Sequence, residues 1–441
     1  MNVDPFALAE ELWHGPWSRE PMRIRLAHLL GRLQPTSQES ALVDELLDRW
    51  PRRPTLDELS RRLFAHPIVR TDWSPPARPG PHGPAVTTPR LHQPMTARPL
   101  TDRAALRELL WLTDAELDWF ADRQGRNVRA GSAALTHYRY RVDTRGRKAR
   151  LLEIPKSRLK ELQRRLARHV AHPVPLHPAA HGAVLGKSVR SCLLPHAGQP
   201  TLVRCDLEGF FAAITDDRVG GLLRATGLPD EVAALAAALC TNAVPEPVRR
   251  GLPRPGEPAR QAAHWRTLRR LATPHLPQGA PSSPGLANAI AFSLDHRLSR
   301  LAAALGARYT RYVDDLVFSG PARLPVGALL GGARDICRDE GFRLAEHKTA
   351  VVRSSRRQRA LGAVVNDRPS IDRAEIDRLR AILHNCRTRG PASQANRAGL
   401  ADPAELARFR SSLRGRIAWV TSIDPVRGGR LTASFALIDW T

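Results

Sequence analysis

The chain has 441 residues, 42% of them hydrophobic, enough for a sizeable core and two or three domains. Lys and Arg number 68 against 43 Asp and Glu, a formal charge of +25, which suits a polyanionic partner, most simply nucleic acid. Five scattered cysteines without a Cys-x-x-Cys pair exclude a zinc knuckle or disulfide framework, and no apolar run is long enough to predict a membrane span. Early acids at Asp4, Glu10 and Glu11 argue against a signal peptide, so a cytoplasmic protein is expected. Only Lys148, Lys156, Lys160, Lys187 and Lys348 are lysine. That bias explains Arg over Lys but not the net charge.

Residues 1–70 read as a helical accessory region. Ala7, Leu8 and Leu12, then Leu26, Leu29, Leu30 and Leu33, have amphipathic spacing, and Thr55 is placed to cap a further helix. Residues 71–100 are dense in proline and read as a linker. Helical periodicity returns over Leu106–Phe120, with Thr113, Asp114 and Glu116 as a capping signal. His137–Val142 alternates like a strand, Thr144–Arg147 supplies a turn, and Lys148–Ile154 follows as a second strand. Lys156–His169 predicts a basic helix with Leu159, Leu162 and Leu166 on one face. Pro245–Pro258 reads as a surface loop. A strong helix is expected over Leu286–Leu305, with Ser283 as its cap and Pro284 in its first turn. Beyond about Ile371 the pattern is mainly helical.

Three segments carry chemistry. Leu202–Cys205 are strand formers that put Asp206 at a strand end. Ala307–Gly320 reads as two short strands joined by a tight turn carrying both Asp314 and Asp315. Alone, each is bland: a strand-end acid and a solvated hairpin tip. Together, one carboxylate on a strand and one or two on a neighbouring hairpin can hold two magnesium ions about 3.5–4 Å apart for phosphoryl transfer. Between them, Leu276–Gly285 is a Gly/Pro loop leading into a helix N-terminus, where backbone amides can approach a nucleotide.

In this order the segments resemble motifs A, B and C of reverse transcriptases: Asp206-x-x-x-Phe210-Phe211, Pro277-Gln278-Gly279-x-x-x-Ser283-Pro284 and Tyr312-x-Asp314-Asp315. Arg150–Pro155 with Leu159-Lys160 resembles the fingers segment of retron and group II intron enzymes, and His181–Ser188 their template-side motif. Glu346–Thr349 resembles motif D, and Gln358–Asn366 the primer-grip strand. The resemblance is best to the bacterial retron type and covers roughly residues 102–440.

It implies an α/β (α+β) right-hand polymerase: fingers and palm over 101–368, the palm an antiparallel sheet backed by helices, and a helical, RNA-binding thumb over 369–441. It implies Asp206 and Asp314 as principal metal ligands, Asp315 as a supporting acid, the Leu207 carbonyl completing a metal shell, and two Mg2+ ions. Arg150 and Lys148 would meet the triphosphate of an incoming dNTP, because a guanidinium suits phosphate. Gln278 and Gly279 would lie near the sugar, and Phe211 would occupy the steric gate against a ribose 2′-hydroxyl. Lys348 would donate a proton to leaving pyrophosphate, which an arginine does poorly. Lys187, Ser188 and Gly362 would lie along template and primer. Implied partners are a structured noncoding RNA, its cDNA, dNTPs and an effector protein, in antiphage defence.

Two departures bear on priming. The family's Asn-Ala-x-x-His is Cys192-Leu193-Leu194-Pro195-His196 here, and its Val-Thr-Gly is Ala360-Leu361-Gly362. Both features are associated with a branched RNA-linked DNA product. The rival readings are therefore a retron-like defence enzyme with other priming, and a catalytically silent RNA-binding scaffold.

Overall fold

The computed structural model describes residues 17–29, 34–54, 100–129, 135–144, 150–171, 173–256, 258–400 and 402–440, with a few single positions between residues 8 and 66. Thr55, the proline-rich stretch up to residue 99 and Lys148 lie outside the described residues. The chain forms two compact units, residues 1–84 and 85–441.

In the first unit, α1 (Arg19–Leu29) and α2 (Ser37–Arg49) pack through Met22, Leu26, Leu42, Val43 and Leu46. Thr36 starts α2 because its hydroxyl accepts from the Glu39 amide while Glu39 reaches back to the Thr36 amide. Trp17 donates its indole N–H to the Trp50 carbonyl at 3.0 Å, so both rings serve packing.

The second unit opens with α3 (Arg103–Leu110) and α4 (Asp114–Ala121), and Thr113 caps α4 through the expected box with Glu116. The hairpin β1 (Tyr138–Asp143) and β2 (Arg150–Pro155) follows, antiparallel from Tyr138↔Pro155 to Asp143↔Arg150. Helix α5 (Ser157–Leu166) then buries Leu159, Leu162 and Leu166 on one face, as the spacing predicts.

The central sheet has four antiparallel strands in the order β4-β5-β3-β6: β3 (Thr201–Asp206), β4 (Arg308–Tyr312), β5 (Asp315–Gly320) and β6 (Ala350–Arg353). Alternation along β3 and β5 sends the sheet's two faces to different cores. Val203 and Cys205, with Leu316 and Phe318, join a large core shared with the helices that precede β6. Leu202 and Val317 join a second core built by the C-terminal helices α13 (Arg373–Arg389), α14 (Pro391–Arg397), α15 (Pro403–Ile423) and α16 (Pro425–Ala436). For clarity, the labels α6 to α12 belong to Val189–Leu193, Asp216–Ala225, Asp230–Cys240, Pro258–Leu271, Ser283–Ile290, Phe292–Ala304 and Val326–Asp339.

Four expectations need correction. The helix expected over Leu286–Leu305 is two helices, α10 and α11, because Ala291 (φ −80°, ψ 5°) leaves helical geometry for one residue. Ser283 is not the cap: it is the first residue of α10, and its hydroxyl donates to the Pro277 carbonyl at 2.8 Å. The presumed loop Pro245–Pro258 contains a short helix, Glu246–Arg250. And Asp315 is not in the hairpin turn, since Tyr312 pairs with Asp315 and leaves Val313-Asp314 as the two-residue loop.

His196 ties the sheet edge together. Fully buried, it contacts Ser319 Oγ at 2.7 Å through Nδ1 and Thr310 Oγ1 at 2.8 Å through Nε2. Burial, with Arg308 and His181 nearby, pushes its pKa down to about 3. Burial likewise lowers His177 and His181 to about 4. The unfolded chain takes up these protons near pH 6.5, whereas the folded chain resists them, so stability is full above that pH and lost as pH falls toward 4. Urea unfolding at a series of pH values should show the midpoint falling over this window. His196→Gln should be less stable at pH 7 and show a shallower slope.

Candidate active site

Strand register brings the acids together. Asp206, the last residue of β3, lies directly opposite Asp315, the first of β5. Both are on the face that, farther along, packs against the C-terminal helices. Asp314 precedes Asp315 in the loop, and its carbonyl accepts from the Leu207 amide at 2.8 Å. The turn is tight enough to hold Val313 at φ 58°, unfavourable for a β-branched residue.

A buried network holds that turn. Arg311 on β4 is fully buried and paired with Asp295 of α11 by two hydrogen bonds, 2.8 Å from Nε and 2.7 Å from a terminal nitrogen. Its other terminal nitrogen donates to Asn288 Oδ1 and to the Val313 carbonyl, each at 2.9 Å. Asn288 in turn donates to the Gly182 carbonyl at 2.8 Å. A Cβ on Gly182 would sit 2.6 Å from Val313, so the close approach to the turn requires glycine. The backbone of Ala179–His181 also pairs with Arg311, closing the edge of β4.

Charge is the dominant property of the site. Burial and then the charge of Asp206 hold the Asp314 carboxyl above its ordinary range. Burial, Asp314 and Asp206 push Asp315 up to about 7. Lys348, at the end of the turn Glu346–Lys348, sets its ammonium 2.5 Å from Asp206 Oδ2 and relieves part of the repulsion.

Among the described residues no group of three or more His, Cys, Asp or Glu side chains is already arranged to hold a metal ion. The three carboxylates are neighbours at a sheet end, and Lys348 offsets only part of their negative charge. Among the described residues, the Leu207 carbonyl beside them receives no hydrogen bond, while the amide of the same residue is used. Such an all-oxygen donor set fits a hard divalent cation.

The remaining sequence-predicted residues divide. Arg150 at the start of β2 is exposed and close enough to act on Asp314. Gln278 and Gly279 pack against the same strand: the Gln278 carbonyl accepts from the Glu153 amide at 3.0 Å. Phe211 is half-buried at the head of a short turn, its ring 5.5 Å from that of the buried Phe210. The Lys187 ammonium meets the Pro178 carbonyl, and Ser188 caps α6 in a box with Ser191. Gly362 (φ 80°) shares a hairpin turn with Leu361 (φ 50°), between β7 (Arg359–Ala360) and β8 (Ala363–Val364), against Trp419 of α15. Sequence reasoning misses Arg311, Asp295 and Asn288. Only Asn288 left a signal, as the amide within the mainly apolar α10; Arg311 and Asp295 sit among other polar residues in β4 and α11.

An antiparallel sheet thus ends in paired acids, with a lysine on one of them and an arginine within electrostatic reach. Residues 142–365 match the family described as reverse transcriptase (RNA-dependent DNA polymerase). The chain is 35% identical over 361 residues to the retron Mx162 reverse transcriptase of Myxococcus xanthus, covering 78% of this chain and 68% of that protein. It is 36% identical over 297 residues to the retron Mx65 reverse transcriptase of the same organism, covering 67% and 63%. To the retron Ec86 reverse transcriptase of Escherichia coli it is 27% identical over 249 residues, covering 56% and 68%. The chain belongs to the reverse transcriptase family, in its bacterial retron type. Its activity is that of an RNA-directed DNA polymerase, and the family implies dependence on a divalent metal. Among the described residues no helix is long and apolar enough to cross a membrane.

Removing one partner of a buried, hydrogen-bonded ion pair costs about 3–5 kcal/mol. Asp295→Ala should therefore lower unfolding free energy by about that amount, as read by denaturant titration. The double variant Asp295→Leu with Arg311→Met should recover much of the stability, but not polymerase activity, because the Val313 carbonyl loses its donor.

Proposed function

We propose that the chain extends a primer with dNTPs on a structured noncoding RNA, using two Mg2+ ions held by Asp206, Asp314, the Leu207 carbonyl and, more weakly, Asp315. The observation that carries this reading is the Asp206↔Asp315 register with Asp314 beside it and Lys348 on Asp206. When bound, such ions would activate the primer 3′-oxygen and neutralise the leaving pyrophosphate.

The chain's own groups do the rest. Arg150, with Lys148, grips the triphosphate, since a planar guanidinium can bond two phosphate oxygens at once. Phe211 stands where a ribose 2′-hydroxyl would clash, and Gln278 and Gly279 flank the sugar. Lys348 gives up its proton to pyrophosphate. Its contact with Asp206 supports this role, because it sets the ammonium beside the reacting centre. Lys187 and Ser188 line the template side, and Gly362 sits at the primer grip.

Residues 1–70 act as an accessory region on a linker spanning 71–100. Fingers and palm occupy 101–368, and the helices of 369–441 form a thumb that reads the RNA. The setting is antiphage defence in the cytoplasm, with an effector protein as partner. Cys192-Leu193 and Ala360-Leu361 stand where retron enzymes carry residues tied to branched RNA-linked DNA, and this favours a second reading in which priming differs.

Primer extension on an RNA template tests the catalytic reading. Asp206→Asn and Asp314→Asn should each lower the rate by about a thousandfold or more, and Asp315→Asn by about ten- to a hundredfold, with template–primer binding retained. Unchanged extension by the Asp314→Ala, Asp315→Ala double variant would overturn the assignment of catalysis to these acids, whereas a wild type that binds RNA but extends no primer would support a silent RNA-binding scaffold.

A further inference from the structure

A second buried charge cluster lies away from the catalytic acids. Glu153, in the middle of β2, is 2% exposed, and His275 is fully buried. His275 Nε2 lies 3.0 Å from Glu153 Oε1, and the other carboxylate oxygen accepts from Asn242 Nδ2 at 2.7 Å. Asn242 Nδ2 also reaches the Tyr140 hydroxyl of β1 at 3.2 Å. His275 Nδ1 lies 2.7 Å from the Thr273 carbonyl. Both ring nitrogens therefore face acceptors, and only the doubly protonated ring donates to both. Burial opposes the charge, but Glu153 and the Thr273 carbonyl outweigh it and raise the His275 pKa. Among the described residues, Glu153 is the charged group that acts on the ring; Tyr138 and Tyr140 of β1 also feel the Glu153 charge, and Asn242 bridges Tyr140 to the carboxylate.

Three elements meet at this pair. Glu153 belongs to the strand that begins with Arg150. Its amide donates to the Gln278 carbonyl, and a Cβ on Gly279 (φ +136°) would sit 2.8 Å from its carbonyl oxygen. The residue after His275, Leu276, donates its amide to Ile214 at 2.9 Å, directly after the Phe211–Ala213 turn. His275 and Asn242 also exchange backbone hydrogen bonds, 2.9 and 3.1 Å.

We propose that the Glu153–His275 contact is a positioning device that locks the Arg150 strand, the Gln278–Gly279 loop and the Phe211 turn into one pocket, and so sets affinity for the incoming dNTP without touching it. This rests on the reading of those three elements as the nucleotide site. A buried pair joining a strand to a loop more than a hundred residues away fixes their spacing, because buried charges tolerate little separation from their hydrogen-bond partners. Small displacements of binding groups are costly: about 1 Å can change a rate a hundredfold.

The experiment is steady-state dNTP incorporation on a fixed RNA template–primer, comparing the wild type with Glu153→Gln, His275→Gln, the double variant and Arg150→Ala. The two single variants should raise dNTP KM about tenfold or more, with kcat and template–primer KM nearly unchanged. The double variant should return toward the wild type, because two amides re-form the hydrogen bond without charge. In the wild type, the contribution of a raised histidine is complete at low pH and lost as pH rises through its folded pKa. Its dNTP KM should therefore climb as pH rises above the ordinary histidine range, and that of the double variant should not. Folded single variants with wild-type dNTP KM, beside an Arg150→Ala variant whose KM rises, would overturn the lock while leaving the nucleotide site standing. Should Arg150→Ala also leave KM unchanged, the nucleotide-site reading falls and the proposal with it. If the single variants do not fold, a wild-type dNTP KM that stays flat as pH rises from below the ordinary histidine range to well above it overturns the proposal.

Discussion

Three carboxylates at the end of one sheet are the constraint on which this structure depends. Placing Asp206 opposite Asp315, with Asp314 one residue away, concentrates negative charge where burial already disfavours it. The fold holds this arrangement by rigid means. Arg311 is fully buried and satisfied by Asp295, Asn288 and the Val313 carbonyl, so the turn cannot relax to separate the acids. Lys348 offsets part of the charge from the far side of β3. What is left over is a site whose electrostatics favour cations, which is what phosphoryl transfer to a nucleic-acid end requires.

The sheet also explains how the C-terminal helices relate to the chemistry. Its two faces feed two cores, one shared with the helices that back it and one with α13–α16. Asp206 and Asp315 stand on the second face, beyond Leu202 and Val317. The hairpin turn at Leu361-Gly362 meets Trp419 on the same side. Any movement of the helical region is thus coupled through packed residues to the face that carries the acids. His196, the residue retained from an otherwise altered motif, works within this frame by joining β4 to β5 through Thr310 and Ser319.

The acids and the Gln278 loop are legible in the sequence because their signals are local: strand formers ending in an acid, two acids between apolar flanks, and a Gly/Pro loop before a helix. Register is not local. Reading the Tyr312–Asp315 segment alone puts both aspartates in the turn; pairing with β3 and β4 moves Asp315 onto a strand. Nor does an apolar stripe reveal the break at Ala291, where neither glycine nor proline marks the change of direction. The Arg311–Asp295 and Glu153–His275 pairs are the least legible. Each joins residues distant in sequence, and a buried charge can be recognised only once its partner is placed beside it.

The central claim is that the carboxylate cluster is built around divalent cation. It is tested most directly by thermal unfolding of the metal-free protein as Mg2+ is added at constant ionic strength. The account predicts that the wild-type melting temperature rises with Mg2+, since a ligand of the folded state alone stabilises it, and that the rise is lost in Asp206→Asn and Asp314→Asn. A melting temperature indifferent to Mg2+, or a rise that persists in both variants, would contradict it.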